Sequence, residues 1–170
     1  RNPLYGARET WHDLAQHAVP TANGVTTNGH VQNVYRDLYS VIARTNQILS
    51  TIDEAEIDDE IKSNVKGQAL FLRAYSYFEL VRLFGKAPLH LVPVTNRQEA
   101  ALPLSDATAL YAQVESDAKE AIQLLPVKSA QEAGRATSGA AQMLLADAYM
   151  TQKRWSEAET LLLAIVNSNE

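Results

Sequence analysis

Four histidines and two pairs of acidic residues are the side chains in this sequence whose types suggest chemistry. The histidines are His12, His17, His30 and His90. No two of them are four residues apart, which is the spacing that places two imidazoles on one helix face around a metal ion, and no HExxH motif occurs. We therefore expect no metal site, and we interpret these histidines as surface or loop residues.

The acidic pairs are Glu54/Glu56 and Asp58/Asp59. Two carboxyl groups at a suitable separation can serve as the acid and base of glycoside hydrolysis. These four residues, however, stand at the predicted start of a helix, where the macrodipole favours negative side chains. Cysteine is absent, which excludes thiolate nucleophiles and cysteine zinc sites, and no GxSxG, P-loop or dinucleotide-binding glycine pattern occurs. We expect neither enzymatic activity nor a cofactor.

The overall composition is that of a globular protein, since hydrophobic residues make up 46% of the 170 positions. The formal net charge is −5 and the basic residues are scattered, which argues against nucleic acid as the main partner. No stretch approaches the ~20 apolar residues of a membrane span. The chain starts and stops abruptly, so we expect it to be part of a longer protein.

Apolar residues recur every three or four positions over most of the chain, which predicts helices. The predicted helices cover 31–52, 56–84, 106–124, 138–152 and 155–168, joined over 86–104 by a connector without helical period, and no convincing strand appears. Gly85 and Thr137 stand where a C-terminal and an N-terminal helix cap belong. Residues 18–30 concentrate Pro, Gly, Asn and Thr, as loops do. The sequence therefore predicts an all-α protein with a long irregular loop region over 1–30 and a helical domain over 31–170.

One arginine, Arg73, interrupts an aromatic and aliphatic run in the middle of the predicted 56–84 helix. A buried guanidinium without partners costs several kcal/mol, so Arg73 needs an acidic partner if it is structural. Asp117 is the best candidate, because it interrupts the apolar face of its own predicted helix in the same way. We predict a structural ion pair between Arg73 and Asp117, with the surrounding aromatics, Tyr75 among them, in the core.

The last two predicted helices carry a repeat pattern. In LADAYMTQKRWSEAETLL, residues 145–162, small and large residues fall at the offsets of a tetratricopeptide repeat, and Trp155 stands where an aromatic anchor is common. The earlier helix pairs have a similar shape but agree less well with the motif. We expect a degenerate, tetratricopeptide-like array of helix pairs, which needs further repeats or a partner domain to bury its apolar faces.

Four segments, in order, resemble the N-terminal helical region of the SusD/RagB family. They are YRDLYSVIARTNQIL (35–49), GQALFLRAYSYFELVRLFGKAPL (67–89), LYAQVESDAKEAIQLLP (110–126) and GRATSGAAQMLLADAYMTQKRWSEAE (134–159). The resemblance implies a SusD-like protein on the bacterial cell surface, lipid-anchored to the outer membrane. It also implies that the protein is not an enzyme, and that it binds glycan or another nutrient and lies as a lid on a TonB-dependent, SusC-like transporter. Family members are much longer than this chain, and their lipid-bearing cysteine is missing here.

The irregular N-terminal region holds residue types that bind sugars, namely an aromatic face for stacking and amides that read hydroxyl groups. These candidate ligand-binding residues are Trp11, Asn23, Asn28, His30 and Asn33. The resemblance implies that the segment before the first long helix contributes to ligand binding. The alternative for these residues is an ordinary solvated loop with Trp11 packed against a helix. For the whole chain, the alternative function is a generic tetratricopeptide-type scaffold that binds a protein segment.

Overall fold

A computed structural model describes residues 29–168, and this part of the chain is built almost entirely from helices. The α-helices are α1 (Gly29–Thr51), α2 (Asp59–Phe84), α3 (Arg97–Ala100), α4 (Ala107–Leu124), α5 (Ser138–Thr151) and α6 (Trp155–Ser168). Short 3-10 helices span Ile52–Glu54 and Lys128–Ala130. The predicted all-α class is confirmed.

Local capping chemistry sets several of the helix ends. The Thr137 hydroxyl accepts from the Ala140 N–H at 3.1 Å and starts α5. The Asp58 carboxylate accepts from the Glu60 and Ile61 N–H groups and starts α2. Gly85 ends α2 with a φ of 73°, in the left-handed region that glycine adopts without strain. Both caps predicted from the sequence, at Gly85 and Thr137, are confirmed.

Two features between helices differ from the prediction. Helix α2 begins at Asp59 and not at residue 56, because a 3-10 turn precedes it and Asp58 serves as the cap. The connector contains the short helix α3, which Asn96 caps. It also contains a two-stranded antiparallel ribbon of β1 (Ala87–Pro88) and β2 (Leu104–Ser105). Elements of two to four residues are too short to show a period in the sequence.

The chain divides after residue 40 into two units, and helix α1 contains the boundary. In the first of these units, the described residues are the first half of α1, where the Tyr35 and Tyr39 rings lie 4.8 Å apart. In the second unit, α2 packs on α4, α4 on α5, and α5 on α6. These four helices therefore make their main contacts with their neighbours along the array, as expected for stacked helix pairs.

Helices α2 and α4 pack closely against each other. Their buried residues include the small Ala69, Ala74, Ala118 and Ala121 and the larger Tyr77, Phe78, Leu110 and Val114. Gly67 marks a close approach, because a Cβ at this position would lie 2.9 Å from Leu125 Cγ. The pairing of these two helices thus depends on residues that let their backbones come near each other.

The buried face of α2 is narrower than the sequence predicted. Leu72 and Tyr75 are 43% and 47% exposed, so the prediction that Tyr75 lies in the core is wrong. The buried residues of this helix are instead Gly67, Ala69, Leu70, Arg73, Ala74, Ser76, Tyr77, Phe78, Leu80 and Val81. Apolar residues surround this helix on most sides, so periodicity alone could not tell which of them face the neighbouring helices.

Candidate functional site

The predicted ligand-binding residues fall into two groups. Trp11, Asn23 and Asn28 lie outside the described residues. His30 and Asn33 lie in the first turns of α1, where Asn33 is exposed and His30 is half-buried. The irregular region was predicted to extend through residue 30, whereas Gly29 and His30 belong to helix α1. His30 and Asn33 therefore stand on a regular helix, and their role in ligand binding remains a prediction.

Arg73 and Asp117 form a two-pronged ion pair between α2 and α4. Arg73 Nε lies 2.8 Å from Asp117 Oδ2, and Arg73 Nη2 lies 2.8 Å from Asp117 Oδ1. Arg73 is 8% exposed and Asp117 is 2% exposed. The flat guanidinium thus uses two parallel donors on both carboxylate oxygens, an arrangement that an ammonium group cannot reproduce.

Two amide side chains complete the surroundings of this pair. Asn46 of α1 accepts from Arg73 Nη1 at 2.9 Å, and Gln113 Nε2 donates to Asp117 Oδ1 at 2.8 Å. Burial raises the pKa of the Asp117 carboxyl, while the hydrogen bonds and positive charge of Arg73 oppose that shift. Among the described residues, every buried side-chain nitrogen and oxygen has a hydrogen-bond partner. The network is therefore complete and joins three helices.

The same network holds the backbone of the connector. Asn46 Nδ2 donates to the carbonyls of His90 and Val92 at 2.9 and 3.3 Å, and Arg73 Nη1 donates to that of Leu91 at 3.3 Å. The Tyr77 hydroxyl donates to the His90 carbonyl and accepts from the His90 N–H. Three successive carbonyls thus point into the protein, where they accept from buried side chains.

Sequence reasoning missed Asn46 and Tyr77 as members of this network. Asn46 is 1% exposed, although it sits in a helix whose apolar stripe continues without it. Its partners lie 27 to 46 residues away along the chain, so no local spacing indicates them. A polar amide next to the apolar stripe of α1 was the one sequence signal that could have pointed to a buried role.

A second polar cluster lies at the junction of α4, α5 and α6. Arg154 Nη1 lies 2.6 Å from Glu115 Oε2, and the Tyr149 hydroxyl lies 2.9 Å from Glu115 Oε1. Lys119 Nζ lies 2.6 Å from Glu115 Oε1, and Arg154 also pairs with Glu157. Burial alone would raise the pKa of Glu115, but the hydrogen bonds from Arg154, Lys119 and Tyr149 outweigh it and lower the pKa to about 2.

Hydrogen bonds of side-chain amides connect the loop between α4 and α5 to α2. The side chains of Asn64 and Gln131 bond each other in both directions, at 3.2 and 3.0 Å. The Gln68 side chain donates to the Ala136 carbonyl at 2.8 Å and accepts from the Ala136 N–H at 3.0 Å. These bonds place the residues that lead into the Thr137 cap, so the start of α5 is fixed relative to α2.

The outer side of the last helix pair carries an open apolar groove of about 310 Å³. Its lining includes Met150, Leu162, Leu163 and Val166, together with Trp155. Trp155 is 62% exposed, so the expectation that it anchors the packing of α6 is wrong within this chain. The helix places Ala158, and not the tryptophan, against α5.

The described part of the chain shows neither a metal site nor a membrane span. Within residues 29–168, no three His, Asp or Glu side chains lie close enough together to hold a metal ion. No helix in that range combines the length and the apolar character that crossing a membrane requires. The polar clusters found here join helices to one another within an array of stacked helix pairs.

Comparison with known proteins identifies the family to which this helical array belongs. A SusD-like family model, described as starch-binding and associating with the outer membrane, matches residues 5–150. Among curated proteins, the SusD-like protein P2 of Formosa agariphila is 31% identical over 145 residues, which are 83% of this chain and 28% of that protein. The SusD-like protein P25 of the same species is 28% identical over 141 residues, 82% of this chain and 27% of that protein. The chain belongs to the SusD-like family, so the predicted resemblance is confirmed.

Solved structures share the fold. A laminarin-binding SusD-like protein superposes with a TM-score of 0.72 at 31% identity, over 76% of this chain and 28% of its own. A SusD-like carbohydrate-binding protein of Bacteroides fragilis superposes with a TM-score of 0.78 at 26% identity, over 82% of this chain and 28% of its own. The chain thus spans less than a third of these proteins.

Proposed function

We propose that this protein binds glycan at the bacterial cell surface and does not act on it as an enzyme. The observation that carries the proposal is the family match over residues 5–150, whose description names starch binding and the outer membrane. Two structural relatives support the ligand class, since one is a laminarin-binding SusD-like protein and another, from Bacteroides uniformis, is a surface glycan-binding protein. The latter superposes with a TM-score of 0.70 at 26% identity.

The whole protein would hand its ligand to a TonB-dependent, SusC-like transporter, and a lipid anchor would hold it at the outer membrane. The association with the outer membrane in the family description supports this location. Within the chain, the stacked helices would serve as the scaffold. The ligand contacts would come from Trp11, Asn23, Asn28, His30 and Asn33, because an aromatic face and amide groups suit a sugar ring and its hydroxyls.

Affinity electrophoresis of the natural protein that carries this sequence tests the proposal. The gels contain laminarin, soluble starch or no polysaccharide, and binding shows as retardation. We expect at least one glycan to retard the protein and Trp11→Ala to abolish most of that retardation. Trp155→Ala is the matched control, since it removes the sequence's other tryptophan, which is exposed on α6. If neither these glycans nor a wider panel retards the protein, the proposal is wrong.

The alternative function is that of a tetratricopeptide-type scaffold for a protein segment. The observation in its favour is the apolar groove along α6, where Trp155 and Val166 are 62% and 72% exposed. The glycan proposal is preferred because the family match extends over most of the chain, whereas the groove involves a single helix pair.

A further inference from the structure

A polar cleft opens between the first half of α2 and the loop that joins α4 to α5. Its volume is about 320 Å³, at the small end of the roughly 300–1,000 Å³ that ligand pockets occupy. Its lining includes Ile61, Asn64 and Val65 from α2 and Gln131, Glu132 and Arg135 from the loop. None of these residues belongs to the predicted N-terminal ligand site, so the cleft is a separate place where a ligand could bind.

Hydrogen bonds within the protein fix the position of Gln131, which forms part of the wall of the cleft. Gln131 Nε2 donates to Asn64 Oδ1 at 3.0 Å and to the Ala136 carbonyl at 2.8 Å. Gln131 Oε1 accepts from Asn64 Nδ2 at 3.2 Å and from the Glu132 N–H at 3.1 Å. Gln131 has therefore used both donors and both acceptor positions. A ligand would meet a wall that folding has ordered beforehand, which lowers the entropic cost of binding.

Three neighbouring side chains keep hydrogen-bonding capacity for a ligand. Asn64 Nδ2 has two hydrogens, of which one is used on Gln131. Arg135 uses Nε on Glu132 Oε2 at 2.6 Å, which leaves its terminal nitrogens, while Glu132 keeps its second carboxylate oxygen. The cleft thus offers donors and an acceptor side by side, next to the aliphatic side chain of Ile61, which is 57% exposed.

The charges in the cleft select against an ionic ligand. Arg135 and Glu132 form an ion pair, so an anion would be repelled by the carboxylate and a cation by the guanidinium. A neutral ligand with closely spaced hydroxyl groups fits this pair, because each hydroxyl both donates and accepts. The aliphatic surface beside the pair suits the C–H face of a sugar ring. These features together suit a neutral ligand that carries several hydroxyl groups.

We propose that this cleft binds a single neutral pyranose unit and so gives the protein a second, weak sugar contact away from its N-terminal residues. The choice of ligand class rests on the proposed function. Glu132 and Arg135 would bind hydroxyl groups, the free N–H of Asn64 would donate to a further oxygen, and Ile61 would contact the ring.

Nuclear magnetic resonance of the 15N-labelled natural protein that carries this sequence tests this proposal with methyl β-D-glucopyranoside and methyl α-D-glucopyranoside as probes. We expect at least one of them to shift the Asn64 side-chain amide and the Arg135 Nε–H signals in a saturable way. Glu132→Gln keeps the shape of the side chain and should weaken the binding at least fivefold. Glu54→Gln, which neutralises an exposed carboxylate outside the cleft, is the matched control and should leave the affinity unchanged.

Several results would overturn the proposal. The first is the absence of saturable shifts with either sugar, and the second is an affinity that Glu132→Gln does not change. A third is stronger binding of sulfate, which would make the cleft an anion site. Electrophoresis in polysaccharide gels separates this test from that of the proposed function. If the polysaccharide gels retard the protein but neither sugar shifts the Asn64 and Arg135 signals, only the proposal for the cleft is wrong. If the cleft binds the sugars while no polysaccharide retards the protein, the proposed function fails and the cleft stands.

Discussion

Replacing Arg73 with alanine tests whether the buried ion pair holds the stacked helices together. The change removes both 2.8 Å hydrogen bonds to Asp117 and the 2.9 Å bond to Asn46. Asp117, which is 2% exposed, would keep Gln113 as its described partner. Orphaning one member of a buried ion pair costs about 3–5 kcal/mol, because the remaining charge is buried without compensation. Since domains are stable by only about 5–15 kcal/mol, this loss is a large part of the free energy of unfolding.

Urea denaturation of three variants measures this effect. The variants are Arg73→Ala, Asp117→Ala and the double substitution, and the assay gives the free energy of unfolding of each. We expect the double variant to lose about 1–3 kcal/mol less than the sum of the two single losses, and this difference is the coupling energy of the pair. Arg82→Ala is the matched control, because its exposed pair with Glu79 should contribute about 0–1 kcal/mol. Additive losses for Arg73 and Asp117 would refute the reasoning.

Conservative substitutions separate the charge from the geometry. Arg73→Lys should recover only part of the lost stability, because an ammonium group cannot bond both carboxylate oxygens in the same plane. Replacing the pair by Arg73→Met and Asp117→Leu together removes the buried charges, and such exchanges are often neutral. Here we expect a remaining loss of about 1–3 kcal/mol, because the Asn46 side-chain oxygen and the Leu91 carbonyl lose their donor.

The pH dependence of Arg73→Ala gives a further check. Burial raises the pKa of Asp117, and the hydrogen bonds and positive charge of Arg73 oppose that rise. Arg73→Ala removes this opposition, so the pKa of Asp117 should be higher in the variant. A carboxyl group whose pKa is higher in the folded than in the unfolded state contributes stability at low pH that is lost as the pH rises through the folded value. The variant should therefore be closer to the wild type in stability at about pH 4 than at pH 7, and a penalty that is equal at both would contradict this explanation.

Three other substitutions have definite expected outcomes. Gly67→Ala should destabilise the protein by about 1–2 kcal/mol, because its Cβ would lie 2.9 Å from Leu125 Cγ and this strain exceeds the better helix propensity of alanine. Glu115→Gln should make the free energy of unfolding depend less on pH in acid solution. The pKa of Glu115 is about 2 in the folded protein against an ordinary 4.5, so its stabilisation is present above about pH 4.5 and lost as the pH falls towards 2. Thr137→Ala should cost about 1 kcal/mol, because the Ala140 N–H loses its cap.

Each of these outcomes can be checked by urea or thermal melts against a control. A Gly67→Ala protein more stable than the wild type would show that α4 moves aside easily. For Glu115, the control is Glu132→Gln, which removes a charge from an exposed ion pair. If the wild type, Glu115→Gln and Glu132→Gln all lost the same stability on acidification, the stabilising role assigned to Glu115 would be wrong. For Thr137, Thr137→Ser should keep most of the stability, since serine caps equally well, and equal losses for both changes would exclude capping as the cause.

The helices themselves could be predicted because their signals are local. Thr137 and Gly85 mark helix ends through bonds or backbone angles within a few residues, and α6 begins where the periodicity placed it. The short ribbon of Ala87–Pro88 with Leu104–Ser105 could not be predicted, because it joins residues 16 to 18 positions apart with too few residues to show alternation.

The buried faces were harder to infer than the helices. Tyr75 was expected in the core, and Trp155 stands where an aromatic anchor is common, yet both are exposed. Helix α2 has apolar residues on most of its surface, so its sequence allows several orientations. The close contact of Gly67 with the end of α4 selects one of them, and this contact exists only once both helices have packed.

The sequence by itself determined that this protein is helical, that its helices stack in pairs, and that Arg73 needed an acidic partner, for which Asp117 was the best candidate. These conclusions depend on local periodicity, on capping residues and on the high cost of an unpaired buried charge. Only the tertiary structure decided that Asn46 and Tyr77 join this pair and hold the backbone of residues 90–92, and that Asn64 and Gln131 form the wall of a cleft. The physical reason is that a neutral amide or hydroxyl can be satisfied by many partners, including water, so its partner is known only when packing has brought distant segments together.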